Sequence, residues 1–189
     1  MENIIGIFIG MGLSAACGFR VFVPLLVMSF LSLSGHLSLS SGFSWIGTYP
    51  AFIAFATATV LEITAYCIPW LDHLLDLIAT PAAVIAGTIA TASFVTDMRP
   101  FLKWTFAVIA GGGLAAIIQG GTVILRGKSA LTTAGAGNFL VSMGELIGSL
   151  LTSILAVLIP VVTAIVILVI CVYVVSKFGR VVFRKHCRA

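Results

Sequence analysis

Charge is what this sequence has least of. Only 8% of its 189 residues are Asp, Glu, Lys or Arg, where a soluble domain carries roughly 25%. That scarcity excludes a water-facing surface large enough to enclose the apolar remainder. Polar stretches are also short: the longest, Ser32 to Tyr49, cannot bury a core of its own, which excludes a separate soluble domain. Cys17, Cys67, Cys171 and Cys187 are scattered and form no CxxC, so they read as small apolar residues and not as disulfides or metal ligands. There is no nucleotide-binding loop, nucleophile elbow or paired metal motif, and His73 has no second His or Cys at ligand spacing. These absences lead us to expect no metal, no cofactor, no nucleic-acid partner and no enzymatic activity.

What is present is apolar. AVILMFWYC make up 60% of the chain, and from Val161 to Ile170 every residue but Thr163 is apolar. The partner this composition demands is the lipid bilayer. Apolar runs fall at 3–33, 50–68, 74–96, 104–125 and 138–176. A crossing takes about 20 helical residues, so the first run is too long for one straight span and too short for two. The last run makes two short crossings only if a turn lies near Pro160. Both runs are expected to be broken, tilted or re-entrant. The expectation is an all-α polytopic integral membrane protein of five or six transmembrane helices, a single domain over 1–189.

Five positive charges, Lys177, Arg180, Arg184, Lys185 and Arg188, follow the last run and place a basic tail, 177–189, in the cytoplasm of a cell-membrane protein. Loop charges favour six crossings with both termini inside, Arg126 and Lys128 being read as an inside loop. Glu2, with no Lys or Arg beside it, argues against a cleaved signal, so residue 1 is read as the start of the first span. A faint repeat, Gly12-Leu13-Ser14-Ala15-Ala16 against Gly113-Leu114-Ala115-Ala116, suggests two inverted halves of three crossings, 1–100 and 101–176. Inverted repeats characterise many transporters.

Small residues recur every four positions at Gly6, Gly10, Ser14 and Gly18, a helix face suited to close packing and to a homo-oligomer. Arg20 stands near the centre of the first run, between Gly18 and Pro24. A charge at that depth costs at least ~2.5–3.5 kcal/mol, and a helix continued through it would lose the backbone bond that Pro24 cannot donate. A cation therefore coincides with a helix break, which suggests an anion or carboxylate site. Glu62, inside the second run, is the best acidic partner. Asp72, Asp76 and Thr80 are four apart on one helix face and offer oxygen ligands to a cation, although Asp72 and Asp76 also suit a helix start opened by Pro69. Glu145 is the other buried-looking carboxyl. Breaks are expected at Gly18, Pro24, Pro69, Pro81 and Pro160. Arg20, Glu62, Asp72, Asp76, Thr80 and Glu145 are thus candidates to line an ion or solute path. The function they suggest is a channel or secondary transporter; the alternatives are a non-transporting assembly or lipid-organising protein and, third, a lipid scramblase or lipid-modifying enzyme.

With Gly12-Leu13-Ser14-Ala15-Ala16-Cys17-Gly18-Phe19-Arg20-Val21-Phe22-Val23-Pro24 in view, the chain resembles a bacterial membrane family, the domain of unknown function numbered forty-one twenty-six. The likeness continues through Glu62, Pro69, Asp72, Asp76, Pro81, Gly87, Ser142 and Glu145 and covers nearly the whole chain. It implies a small polytopic protein and supplies no activity. In that family's pattern an aspartate follows the last glutamate; Leu146 stands there instead, which speaks against a paired-acid site at Glu145.

Overall fold

The computed structural model describes the backbone of residues 2–65, 69–96, 98–133 and 137–186 and, apart from 2–3, 69–76, 130, 133 and 178–186, their side chains. Every described regular element is helical: α1 Glu2–Cys17, α2 Phe22–Leu33, a 3-10 helix Ser41–Gly47, α3 Tyr49–Ala65, α4 Pro69–Ala92, α5 Pro100–Phe106, a π-helix Ala107–Gly112, α6 Gly113–Thr133, α7 Asn138–Leu158 and α8 Pro160–His186. Among the described residues, three helical stretches are long and apolar enough to cross a membrane, Pro100–Ser129, Asn138–Leu158 and Pro160–Lys177. The 3-10 helix and α3, bent by 64° at their junction, form a fourth candidate. Shorter apolar helices cover Ile4–Cys17, Phe22–Leu33 and Leu77–Ala92.

Burial runs opposite to that of a soluble protein. Arg20, Glu62, Gln119, Arg126 and Glu145 are buried, while Leu151, Leu158, Val162, Val166 and Val169 face outward. A surface of branched aliphatics around a polar interior is what lipid selects, because hydrocarbon solvates the former and not the latter. The fold is that of a polytopic membrane protein.

The direction of each helix follows from its contacts. A Cβ on Gly10 would meet Thr91, and one on Gly6 would meet Phe94, so α1 runs antiparallel to α4 from the end where α4 finishes. Gly12 lies against Ala156 and Ser149 bonds to the Ala16 carbonyl, so α1 is antiparallel to α7 as well. After the break α2 turns back. Its Ser29 hydroxyl donates to Ile46 O at 2.6 Å, Ser32 touches Gly47, and Ser40 N donates to Ser93 O at 2.8 Å. The far end of α2 therefore returns to the face where α1 begins. The first apolar run is a helical hairpin. Its inward arm of 16 residues reaches ~24 Å, short of the ~30 Å hydrocarbon core.

Five helical units then traverse the bundle: the 3-10 helix with α3, α4, α5 through α6, α7, and α8. The expectation of six crossings with both termini on one side is corrected on this point. The helix directions put the N-terminus and the end of α8 at opposite ends of the bundle, where six crossings would bring them to the same end. The end of α6, with Lys128 near it, shares the face of the α8 end. The last run does hold a turn: Ile159 has φ −137° and ψ 66°, Pro160 opens α8, and Thr163 Oγ1 donates across the break to Leu155 O and Ile159 O at 2.9 Å each.

Pro69 likewise opens α4, where its missing N–H costs nothing. Pro81 does not end a helix; α4 continues through it from Pro69 to Ala92. Neighbouring helices compensate for such a proline in a membrane bundle. Pro24 is the third residue of α2, inside the first turn, where amides lack intrahelical acceptors anyway.

The small-residue face of α1 is spent inside the chain. Gly6 and Gly10 seat α4, Ser14 Oγ donates to Gly87 O at 3.0 Å and sits 3.1 Å from Thr91 Oγ1, and a Cβ on Gly18 would stand 2.6 Å from Ile118 and 2.7 Å from Ala115 O. These four residues are thus not a surface for a second copy, since α4 and α6 already fill it. The π-helix continues the close packing. A Cβ on Gly111 would come within 2.5 Å of Gly87 O.

Candidate functional site

The site grows from the hairpin tip. α1 stops because Gly18 closes on Ala15 O at 3.0 Å, while the Phe19 and Arg20 amides both reach Ala16 O, at 3.1 and 3.2 Å. The opposite problem arises at the start of α2, whose first amides have no acceptor within the helix. Glu62 of α3 solves it from outside. Its Oε1 accepts from Val21 N at 3.0 Å and its Oε2 from Phe22 N at 3.2 Å. A carboxylate there also faces the positive end of the α2 dipole. Non-helical backbone at membrane depth is tolerated only when its polar groups are answered by protein or water, and here one side chain answers two of them.

Arg20, 2% exposed, reaches past the tip to α7. Its Nη2 donates to Ser142 O at 3.1 Å and to the Ser142 hydroxyl, and its Nε lies 4.0 Å from Glu145 Oε2. Glu145 is held more tightly from the other side. Arg126 of α6 donates from Nε to Oε1 at 3.0 Å and from Nη2 to Oε2, the two-pronged arrangement in which a planar guanidinium grips a carboxylate. Arg126 and Glu145 are 3% and 4% exposed. One carboxylate thus sits between two guanidiniums, inside the bundle.

The centre continues into two polar stripes. On α6, Gln119, Thr122 and Arg126 are buried at helical spacing; on α7, so are Ser142, Glu145, Ser149 and Ser153. Ser149 Oγ donates to Ala16 O at 3.0 Å and Ser153 Oγ to Ser149 O at 2.7 Å. Beside the tip, a groove of about 210 Å³ runs from Phe19 between α7 and α8, with Thr152 and Thr163 among its lining residues.

Of the residues singled out in the sequence, Arg20, Glu62 and Glu145 converge at the tip. Glu62 bonds the backbone next to Arg20, and Glu145 is the carboxylate beside the Arg20 guanidinium. Thr80 is exposed on α4. Asp72, His73 and Asp76 lie outside the described side chains. Arg126 was missed: read as a loop charge because the apolar run ends at Leu125, it lies inside α6, which extends to Thr133. The signal that finds it is the spacing of Gln119, Thr122 and Arg126, which puts all three on one face. Among the described residues no group of three or more His, Cys, Asp or Glu is placed to hold a metal ion.

No curated protein and no solved structure matches the chain. The family described as Domain of unknown function (DUF4126) matches residues 7–178, the hairpin, the capping glutamate and both arginines included, and the chain belongs to that family.

Proposed function

We propose that this protein is a channel or secondary transporter for a small ion or solute, with its path through the charge centre at the hairpin tip. The observation that carries the reading is the meeting of Arg20, Arg126 and Glu145 at the end of a helical hairpin. Each ionised group at membrane depth costs several kcal/mol, and well-packed apolar residues would often serve stability as well or better. Polar stripes on α6 and α7 lead away from the centre, and broken helices at membrane depth are characteristic of sites where solute meets a membrane protein. The positive-inside rule puts the end of α8 and the end of α6 in the cytoplasm, which leaves the N-terminus and the mouth of the hairpin on the outer face of the cell membrane. The repeated segments, 12–16 in α1 and 113–116 in α6, run parallel along α4, with Ser14 and Ala115 both at Gly87 and Gly10 and Gly111 both at Thr91, so they are not an inverted pair.

A second reading, a non-transporting assembly or lipid-organising protein, draws on one specific feature. An apolar groove of about 450 Å³ between α2, α3 and α7, lined by Leu26, Phe30, Phe52, Leu150 and Ile154 among others, is suited to an acyl chain. Flux separates the two. Purified protein in proteoliposomes is tested with monovalent cations, divalent cations, small anions and protons, beside Arg20→Gln checked for native-like unfolding. Selective flux altered by Arg20→Gln supports transport. Silence of the folded wild type across the panel overturns it in favour of the second reading.

A further inference from the structure

We propose that the side-chain amide of Gln119 is met by water in a polar pocket between α6 and α4, and that the route from the end of α6 to the hairpin tip follows this face of α6 and not the serine stripe of α7. The second clause rests on the transport reading and names the wall its path uses; the first stands without it. An unspent amide carries the inference. Gln119 is 2% exposed, and a primary amide brings two N–H donors and a carbonyl acceptor into the bundle. Among the described residues nothing bonds to that amide; the Thr122 hydroxyl donates instead to the Gln119 backbone carbonyl at 2.9 Å. A buried amide left unanswered carries the full cost of its lost hydration, and ordered water is the usual remedy where the protein supplies no partner.

The helix register explains why the protein supplies none. α6 runs antiparallel to α4: Gly111 lies against Gly87 and Thr91, Gly112 against Val84 and Thr88, and Ala115 against Gly87. One turn onward in α6 is one turn back in α4, which brings Gln119 opposite the buried Ala83, with the buried Ala79 one turn beyond. Alanine ends at Cβ and offers no hydrogen bond. The side chains of 69–76 start about two turns from Ala83. Thr122, buried on the same face of α6, gives a bound water its second partner, since its hydroxyl hydrogen is spent and its oxygen still accepts.

The α7 stripe is occupied. Ser149 Oγ donates to Ala16 O at 3.0 Å and Ser153 Oγ to Ser149 O at 2.7 Å. The seam between α7 and α1 is also shut, because a Cβ on Gly12 would stand 2.5 Å from Ala156. Gln119 therefore has a donor and an acceptor to offer a small solute where Ser149 and Ser153 have committed their protons to the backbone.

The test asks whether water reaches position 119. Gln119→Cys, Ser149→Cys and Ile118→Cys, each in the otherwise native full-length chain, are moved in detergent into heavy water. Replacement of S–H by S–D is followed in the infrared, with the wild-type spectrum subtracted to remove the native cysteines. Ile118 adjoins Gln119 but lines the apolar groove beside α8. Exchange at 119 is expected to be about tenfold faster, or more, than at 118 and 149. Exchange at 119 as slow as at 118 overturns the hydrated amide. Exchange at 149 as fast as at 119 overturns the route along α6. If Gln119→Cys does not fold, Gln119→Leu decides by thermal unfolding: a midpoint raised by several degrees means that a dry amide was relieved and overturns the proposal, and an unchanged or lower midpoint upholds it. Fast exchange at 119 in a protein that passes no ion or solute upholds the pocket and overturns the transport reading alone.

Discussion

Replacing Glu62 by Gln isolates the device that closes the hairpin tip. The glutamate gives one charged acceptor to Val21 N and another to Phe22 N. Glutamine keeps a single neutral acceptor and sets an amide donor against the other N–H. A hydrogen bond to a charged group is worth about 1.5–3 kcal/mol, against about 1 for a neutral one. Losing one such bond and weakening the other therefore costs about 2–4 kcal/mol. In a chain of this length each kcal/mol shifts the unfolding midpoint by about 2–4 °C, so thermal unfolding in detergent is expected to fall by roughly 4–16 °C. The local readout is sharper. Amide hydrogen exchange at Val21 and Phe22 is expected to quicken by a hundredfold or so, at about 1.4 kcal/mol per factor of ten, with the middle of α7 little changed. Unaltered exchange at those two amides would refute the reasoning, whatever the midpoint does, because it would mean that Glu62 does not cap α2.

Other consequences follow from the same geometry. Glu145→Ala removes the carboxylate that the buried Arg126 guanidinium grips with two nitrogens and is expected to destabilise by about 3–5 kcal/mol, whereas Glu145→Met combined with Arg126→Met recovers much of that, as measured by a double-mutant unfolding cycle. Gly111→Ala drives a methyl to within 2.5 Å of Gly87 O and is expected to cost about 1–3 kcal/mol. Gly120→Ala meets nothing within 4 Å and is expected to be neutral or to stabilise by up to about 1 kcal/mol, which a paired thermal comparison checks. Reporter fusions at the two termini are expected to score on opposite sides of the membrane; the same side for both would contradict the hairpin.

Some of this could be read without coordinates, and for a plain reason. Composition sets the solvent, and the long continuous apolar runs set the element: a backbone in a bilayer is satisfied within helices or by a closed barrel, and barrel strands would alternate apolar and polar residues. Local chemistry likewise marks Gly18, Arg20 and Pro24 as a place where a helix cannot run on, and Pro160 as another. At Pro81 the same rule fails, because the effect of a proline inside a helix depends on what the neighbouring helices supply. Arg126 escaped for a related reason. A hydropathy run ends at a charge, but a helix need not, and the Glu145 that neutralises Arg126 arrives from a different helix.

By itself, the sequence determined the membrane, the helices and the improbability of leaving Arg20, Glu62 and Glu145 unpaired. Only the tertiary structure decided that α2 turns back, that Glu62 serves the backbone beside Arg20, that the glycines of α1 seat α4 and α6 within one chain, and that Arg126 completes the centre. Those outcomes depend on which helix lies beside which, and side-chain spacing along one helix carries no information about the face that comes to meet it.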